Sequence, residues 1–366
     1  MRVLVVNAGS STLKLRTLGD DDRVEADLLI DPWAGDEATA ADAIDEVLHG
    51  RAPVDAVGHR VVHGGADMVT ATLITAEVIE RVRGLTPLAP LHQPRALAGM
   101  SAAGQRLAAV AQVACFDTAF HATLPVAART YALPAAWRER WGLRRFGFHG
   151  LSHAWAARRA AGLRGDSPHA RIVTCHLGAG ASLCAVLDGR SVDTTMGFTP
   201  LEGLVMATRS GSVDPGLVLW LLTEAGLDAP TVAAGLEHDS GLAGLSGTSG
   251  DLRVVLDARH DGDAPARLAV DVYLHRLCQE VAAMASSLGG LDVLVLTGGV
   301  GEHAPVVRAE MAAGLGFLGV EVDATANEAG TGDRSIAPPG ASVDVLVVES
   351  REDLQIAHEV RALLSR

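Results

Sequence analysis

The sequence predicts an α/β protein built from two domains. Short apolar runs bounded by Gly, Asp and Ser alternate with Ala-rich stretches of helical character, for example residues 2–6 and 95–112. Strands interleaved with helices indicate sheets that are covered by helices. The chain has 366 residues, of which 48% are apolar. A chain of this length is too long for one ordinary hydrophobic core, which favours two domains.

The predicted elements follow one another along the whole chain. The predicted strands are residues 2–6, 171–175, 183–187, 292–297 and 343–348. The predicted helices are residues 95–112, 153–161, 267–288 and 353–364. In the helix at 267–288 the apolar residues recur close to a 3.6-residue period. Segments 19–50 and 323–341 are rich in Asp, Ala and Gly, and we expect loops or weakly constrained surface there.

Two stretches of the chain resemble each other. Residues 2–15 read as a strand, a glycine-containing turn and a second strand, and residues 171–187 repeat this order. Both turns carry glycine and small hydroxyl residues, which is typical of hairpins. The repetition predicts a duplicated domain with a cleft between the copies, although strand–turn–strand units of this kind are common.

Composition restricts the partners and the compartment. The 30 Lys and Arg residues stand against 44 Asp and Glu residues, which gives a net charge of −14, so nucleic acid is not an expected partner.

The chain opens with a strand pattern and has no apolar stretch of about 18 residues, so we expect neither a signal peptide nor a membrane span. The cysteines lack metal-site spacing and lie among apolar residues, which favours free thiols in a reducing compartment, the cytoplasm. They are Cys115, Cys175, Cys184 and Cys278.

Six polar or glycine-rich segments are candidates for chemistry, and three lie in the first third of the chain. Residues 7–14 combine a turn glycine and hydroxyls with Lys14, the only lysine; this suits phosphate, although an ordinary polar hairpin has the same composition. Arg60 lies between apolar residues and needs an anionic partner, either a structural carboxylate or a substrate. Asp117 ends an apolar run, a position that suits either a functional carboxylate or a helix N-cap.

The other three segments lie further along the chain. His149 stands between glycines at a loop-to-helix junction, where its ring is either structural or open to a ligand. Arg209 lies among hydroxyl residues after a polar turn. Residues 296–303 are a strand that runs into a glycine-rich turn at a helix start, which is a common phosphate site. Each segment is a weak signal by itself, because such turns are frequent.

Taken together and in this order, the six segments resemble the signature blocks of the acetate kinase family. That family lies within the superfamily of sugar kinases, heat-shock chaperones and actin. The most specific blocks are residues 6–14 and 193–203, and the resemblance covers residues 3 to about 358. It implies two duplicated ribonuclease H-like (actin-like ATPase) domains with a central cleft. The predicted domains are residues 1–118, on which helix 354–366 packs back, and the nucleotide-binding residues 119–353.

The resemblance also implies a reaction and a set of partners. The reaction is a reversible, direct in-line transfer of the γ-phosphoryl group of ATP to the carboxylate of acetate, which yields acetyl phosphate and ADP. Mg²⁺ is the implied cofactor, and ATP is a co-substrate. The implied partners are these small molecules and a second copy of the chain in a homodimer, with neither nucleic acid nor membrane among them.

Individual residues receive roles from the same resemblance. The implied catalytic residues are Arg60, Asp117, His149 and Arg209, with His92 supporting the transition state beside His149 and Arg209. The implied acid-binding residues are Arg60, Val62, Leu91, Phe148 and Pro200. The implied nucleotide-binding residues are Lys14, His176, Gly178, Gly180, Asp251, Arg253, Gly299, Gly301 and His303. The implied metal-site residues are Asn7 and Glu352.

Three positions depart from the family's pattern. The family usually has asparagine where this chain has Gln93, Ala179 and His303, and the chain holds only two asparagines in all. Loss of an amide at a phosphate loop costs about 1–3 kcal/mol if its partner stays unpaired. Two alternative functions stay open. One is propionate as acceptor, since a methylene contributes only about 1–3 kcal/mol of discrimination, and the other is a nucleotide-binding homologue with impaired catalysis.

Overall fold

The computed structural model describes residues 1–9, 11–165 and 169–365. These residues form two compact units. Unit 1 comprises the described residues of 1–122, 148–155 and 351–366, and unit 2 those of 123–147 and 156–350. Both units contain a mixed sheet and helices, so the predicted α/β class is confirmed. The domain limits 1–118 and 119–353 stay predictions.

The strands and helices account for most of both units. The strands are β1 (Val3–Ala8), β2 (Leu13–Leu18), β3 (Val24–Ile30), β4 (Ala56–Val61), β5 (Thr72–Leu73), β6 (Ala111–Phe116), β7 (Ile172–Leu177), β8 (Ala181–Leu187), β9 (Arg190–Thr194), β10 (Val293–Thr297), β11 (Arg334–Ser335) and β12 (Asp344–Val347). The α-helices are α1 (Glu37–Leu48), α2 (Ala76–Gly84), α3 (Gln93–Arg106), α4 (Val126–Arg129), α5 (Ala135–Trp141), α6 (Gly150–Leu163), α7 (Pro215–Thr223), α8 (Ala229–His238), α9 (Gly241–Ser246), α10 (Leu252–His260), α11 (Ala264–Leu288), α12 (Gly298–His303), α13 (Pro305–Gly314), α14 (Ala324–Glu328) and α15 (Glu352–Leu364). Short 3-10 helices are Thr86–Leu88, Ala119–Thr123 and Gly316–Leu318.

The sheet of unit 1 has the strand order β3-β2-β1-β4-β6-β5. Strands β1, β2 and β3 form an antiparallel meander, and β4 and β6 run parallel to β1. Both faces of β1 are covered, because Leu4 and Val6 pack with residues of α1 and α3, whereas Val3 and Val5 pack with residues of α15. Burial on both faces explains why β1 reads as a continuous apolar run.

The sheet of unit 2 repeats this topology. Its order is β11-β12-β10-β7-β8-β9, with β7, β8 and β9 as an antiparallel meander and β10 and β12 parallel to β7. The short edge strands β5 and β11 each pair antiparallel with the last parallel strand of their sheet. The duplication predicted from the two hairpins is therefore found in the strand topology of both units.

Two predictions about the elements were wrong, one about the type of structure and one about a helix end. Segment 19–50 is not a loop, because it contains β3 and α1. Asp36 caps α1 by accepting a hydrogen bond from the Thr39 backbone N–H (2.8 Å), and the buried face of α1 consists mainly of alanines, which a search for large apolar residues misses. The predicted helix 95–112 ends at Arg106, since β6 begins at Ala111. Segment 323–341 contains only the short elements α14 and β11.

The four cysteines, all of them among the described residues, form no disulfide. Cys115, Cys175 and Cys184 are buried, and Cys278 is partly buried. Of the helices in the described part of the chain, none combines the length and the apolar character needed to cross a membrane.

Candidate active site

Four polar side chains form one hydrogen-bonded cluster in unit 1. Asn7 lies on β1, Arg60 on β4, Asp117 directly after β6 and Glu352 at the start of α15. Strands β1, β4 and β6 are parallel neighbours, so their carboxyl ends meet at one edge of the sheet, where ligands of α/β proteins usually bind.

Arg60 is the centre of this cluster. Its Nη2 donates to Asp117 Oδ2 at 2.7 Å, and its Nε lies 3.2 Å from each carboxylate oxygen of Asp117. Its Nη1 donates to Asn7 Oδ1 at 3.3 Å, and its Nε lies 3.7 Å from Glu352 Oε2. Asn7 Nδ2 closes the ring by donating to Glu352 Oε2 at 3.2 Å. The anionic partners of Arg60 in this structure are therefore two carboxylates of the chain.

The charges of the cluster are perturbed by burial. The pKa of Asp117 is raised to about 6: burial is the main cause, Arg60 offsets it in part, and the Glu352 carboxylate adds a smaller upward shift. Burial also disfavours the charged form of Arg60, but Asp117 and Glu352 together hold its pKa above its usual value. Two carboxylates thus share one guanidinium group, which leaves oxygen ligands and an excess of negative charge for a cation.

The segment that carries His149 is hydrogen-bonded to the end of β6. The Gly150 N–H donates to the Asp117 carbonyl at 2.9 Å, and a Cβ at residue 150 would lie only 2.2 Å from that oxygen. The imidazole Nε2 of His121 lies 3.0 Å from the Phe148 carbonyl. His149 itself has a φ of 53°, a left-handed conformation that non-glycine residues rarely adopt and that is concentrated at functional sites.

The remaining predicted residues of unit 1 have different surroundings. Lys14 on β2 is paired with Asn7 on β1, so both side chains project from the same face of the sheet. Val62 is buried, and Leu91 is 46% exposed. His92 immediately precedes α3. The acid pocket of Val62, Leu91 and Phe148 stays a prediction, and Ser10, in the block of Lys14, lies outside the described residues.

In unit 2, His176 is the second-to-last residue of strand β7, just before the tight turn of a hairpin. It is paired with Ser182 on β8 and with Thr297 at the end of β10. The Gly178 N–H donates to the Gly180 carbonyl at 3.0 Å and closes the hairpin. His176 therefore occupies in its sheet the place that Asn7 occupies in the other.

A glycine-rich loop follows β10 and forms α12. Gly298 has a φ of 79°, the left-handed region that favours glycine. Glu302 Oε1 accepts hydrogen bonds from the Gly298 N–H (2.9 Å) and the Ser350 N–H (3.0 Å), which fixes the loop. Gly301 is buried, whereas a Cβ added at Gly299 would meet no atom within 4 Å. The loop offers open backbone at Gly299, where the resemblance expects nucleotide.

A buried arginine holds the far end of this loop, and sequence reasoning missed it. Arg308 is 2% exposed, and its Nη1 donates to the carbonyls of Gly301 (3.0 Å) and Glu302 (2.9 Å). Its Nε donates to Asn327 Oδ1 at 2.7 Å, and Asn327 Nδ2 donates to the Pro305 carbonyl at 2.9 Å. The available signal was the asparagine itself, because Asn327 is one of only two in the chain.

Arg209 differs from Arg60 in its partners. Its Nη1 donates to the Pro200 carbonyl at 3.1 Å and lies 3.5 Å from Met206 Sδ. Within the described ranges no carboxylate lies at ion-pair distance from its guanidinium. Burial lowers the pKa of Arg209, and Glu237 opposes this shift. This partly buried cation therefore retains donors for an anion.

The predicted adenosine-side residues form an exposed pair. Asp251 caps α10 by accepting from the Arg253 backbone N–H at 3.0 Å. The Arg253 Nη2 also donates to Asp251 Oδ2 at 2.6 Å, and the Arg253 side chain is 89% exposed. Both side chains are open to solvent, and their predicted role at the nucleotide stays a prediction.

The three departures from the family's pattern lie in unlike environments. Ala179 is exposed, with its carbonyl accepting from the Ala207 N–H at 3.0 Å. His303 is exposed at the end of α12. Gln93 is fully buried, and its Nε2 donates to the His63 carbonyl at 3.0 Å. Only Gln93 is thus part of the packed interior, where its amide still serves as a donor.

Comparisons with known proteins cover almost the whole chain. The family model described as the acetokinase family matches residues 34–358. An acetate kinase of Gloeothece citriformis is 44% identical over 358 residues, which are 98% of this chain and 86% of that protein. The crystal structure of Porphyromonas gingivalis acetate kinase has a TM-score of 0.91 at 37% identity, with 99% of both chains covered. A propionate kinase from Francisella tularensis has a TM-score of 0.88 at 32% identity, with 98% of both chains covered.

Proposed function

The chain belongs to the acetokinase family, and we propose that it transfers the γ-phosphoryl group of ATP to the carboxylate of acetate, giving acetyl phosphate and ADP. It is an ATP-dependent kinase enzyme, and relatives that match nearly its full length are named acetate kinases. The proposed residue roles rest mainly on one observation about Arg209. It is a partly buried cation, and it has no carboxylate partner in the described part of the chain.

In this proposal the acid needs no general base. A carboxylic acid is already ionised at neutral pH, so its oxygen attacks the γ-phosphorus directly. The bond between that phosphorus and the bridging oxygen breaks, and ADP leaves with the bond's electrons. Phosphoryl transfer depends on positioning and on stabilising charge at the equatorial oxygens. We assign that stabilisation to Arg209 and Arg60, whose guanidinium forks suit phosphate and carboxylate oxygens, and to His149, with His92 in support.

The residues of unit 1 fit a magnesium ion. No group of three or more His, Cys, Asp or Glu is arranged to hold a metal by itself in the ranges the structure describes. Mg²⁺ is usually held by one or two carboxylates together with substrate phosphates, and Glu352, Asp117 and Asn7 supply oxygen ligands in one cluster. When bound, the ion would neutralise charge on the phosphates of ATP. The chain's own contribution is to hold these oxygens in place through Arg60.

For ATP we propose the glycine-rich turns of unit 2, together with Lys14. Support comes from the open backbone at Gly299 and from the hairpin that follows His176, which includes Gly178 and Gly180. Asp251, Arg253, Gly301 and His303 complete the proposed nucleotide-binding residues.

Acetate is the proposed acceptor, and propionate is the second candidate. The similarity of a propionate kinase at 98% coverage favours keeping this alternative. In the proposal, Val62, Leu91, Phe148 and Pro200 surround the methyl group of the acid.

We also propose a cytoplasmic homodimer. Helix α7 supports the dimer, because its side chains are largely apolar and none is buried: Leu217, Leu219 and Trp220 are 47%, 62% and 54% exposed. Apolar patches of this kind on an enzyme mark interaction surfaces. The cysteines, which form no disulfide among the described residues, support a reducing compartment.

A substrate panel tests the proposal. The purified protein is incubated with ATP, Mg²⁺ and hydroxylamine, and the acyl hydroxamate is measured with acetate, propionate, butyrate or no acid. We expect the highest kcat/KM with acetate and a lower value with propionate. If no hydroxamate forms with either acetate or propionate, the proposal is refuted. A higher kcat/KM with propionate than with acetate would favour the second candidate.

A further inference from the structure

The hydroxyl of Tyr131 connects the two flanks of Pro200. It accepts a hydrogen bond from the Phe198 N–H at 2.9 Å and donates to Glu202 Oε2 at 2.5 Å. Phe198 precedes Pro200 by two residues, and Glu202 follows it by two. One side chain, distant in sequence, thus fixes the segment on both sides of a residue that we assign to acid binding.

Arg145 completes this network. Its Nη2 donates to Glu202 Oε1 at 2.6 Å, and its Nη1 donates to the carbonyls of Thr195 (3.0 Å) and Met196 (2.9 Å). Its guanidinium carbon also lies 5.6 Å from the centre of the Tyr131 ring. Both oxygens of Glu202 are therefore engaged, one by Tyr131 and one by Arg145.

Gly197 allows the network to close over the backbone. A Cβ at this position would lie 1.7 Å from Glu202 Oε2 and 2.1 Å from the Tyr131 hydroxyl oxygen. The Gly197 carbonyl accepts from the backbone N–H groups of Phe146 (3.0 Å) and Gly147 (3.3 Å). The network is consequently packed directly against the main chain at Gly197, where no side chain would fit.

We propose that Tyr131, Glu202 and Arg145 are positioning residues that set the acid-binding geometry of this enzyme. They act through Pro200, whose carbonyl accepts from Arg209 Nη1 at 3.1 Å. The segment from Thr195 to Glu202 thereby holds both an apolar contact for the acid and the orientation of Arg209. This inference rests on the proposed roles of Pro200 and Arg209.

Tyr131→Phe tests the inference, because it removes only the hydroxyl and leaves the Phe198 N–H and one Glu202 oxygen unpaired. The chain offers a matched control in Tyr273→Phe. Tyr273, the only other tyrosine, is 3% exposed, and its hydroxyl has no hydrogen-bond partner among the described residues. Tyr131→Phe should raise the KM for acetate about tenfold, while the KM for ATP stays within about twofold and Tyr273→Phe behaves as the wild type.

A purely structural role would lower the melting temperature and the active fraction without this selective change in KM. An unchanged KM for acetate in Tyr131→Phe, an equal rise in the KM for ATP, or the same effect in Tyr273→Phe would overturn the inference.

A second measurement is independent of activity. Amide hydrogen exchange without substrates should be faster across residues 195–202 in Tyr131→Phe than in the wild type, and unchanged there in Tyr273→Phe. Unchanged exchange in Tyr131→Phe would overturn the positioning role by itself. If exchange is faster in Tyr131→Phe but the wild type phosphorylates no carboxylic acid, the role of Tyr131 in ordering residues 195–202 is retained. The proposed function and the link to acid binding are then refuted.

Discussion

At the level of single residues, the two candidate arginines differ in whether a carboxylate of the chain pairs with them. Arg60 is paired with Asp117, whose side chain is 1% exposed, and lies near Glu352. Arg209 contacts a carbonyl and a sulfur, and in the described ranges it has no carboxylate at ion-pair distance. Removing each side chain therefore has different structural consequences, even if both act on the same reaction.

Alanine variants of the two arginines separate stability from catalysis. Arg60→Ala leaves a buried carboxylate unpaired and should lower the free energy of unfolding by about 3–5 kcal/mol. Arg209→Ala leaves no carboxylate unpaired and should lower it by about 1 kcal/mol or less. Both should reduce kcat/KM by roughly a hundredfold or more, since each removes charge from the transition state.

Denaturant unfolding and steady-state kinetics give both quantities, and Arg60→Lys is the matched variant. It keeps the positive charge near Asp117 but loses the fork, so it should recover stability without recovering kcat/KM. A catalytically normal Arg209→Ala, or one as destabilised as Arg60→Ala, would contradict these roles.

Some side-chain contacts of the candidate site could be predicted from the sequence, and others could not. The need of Arg60 for an anion was readable from its apolar neighbours, and the cluster with Asp117 and Glu352 meets that need. The hydrogen bonds of Tyr131 to Glu202 were not readable, because they join positions 71 residues apart. Nothing in local composition distinguishes such a tyrosine from any other.

At the element scale, the hairpins were predictable and the first helix was not. The strand–glycine–strand order of residues 2–15 and 171–187 predicts β1–β2 and β7–β8, and both form. Helix α1 was missed because its buried side is mainly alanine, which contributes little to an apolar pattern. The paired hairpins place Asn7 and His176 at equivalent positions, whereas the ligands that they bind stay proposals.

The β7–β8 hairpin offers a test at Ala179, where the family usually has asparagine. Ala179 is exposed, so the asparagine side chain has room, and its amide can donate to a phosphate oxygen. We expect Ala179→Asn to lower the KM for ATP about threefold or more, the effect of one added hydrogen bond. Ala179→Asp, of the same shape but negatively charged, should raise it. If both variants keep the KM of the wild type, the hairpin lies outside the nucleotide site.

At the scale of the whole molecule, the fold class and the repeated topology followed from the sequence. Two six-stranded mixed sheets with the same strand connections are what a duplicated α/β unit requires. The exact ends of elements did not follow, because packing decides where a helix such as α3 ends. The exposed apolar surface of α7 was also not readable, since an apolar run in a sequence normally indicates burial.

Trp220→Glu tests the proposed dimer through this surface. A charge on the exposed apolar face of α7 should convert the dimer to a monomer, because burying an unpaired carboxylate in an interface is costly. Size-exclusion chromatography with light scattering gives the mass of each variant. Phe317→Glu is the control, since Phe317 is 74% exposed and lies on a different helix. A dimeric Trp220→Glu variant, or a monomeric wild type, would contradict the proposal.

We propose that a carboxylate oxygen of the acid forms the new bond to the transferred phosphorus. This proposal is tested most directly by incubating the enzyme, ATP and Mg²⁺ with acetate labelled with ¹⁸O in both carboxylate positions and recording ³¹P spectra. We expect acetyl phosphate whose phosphorus resonance shows the isotope shift of one bridging ¹⁸O. Acetyl phosphate without that shift, or ADP with only unlabelled inorganic phosphate, would contradict it.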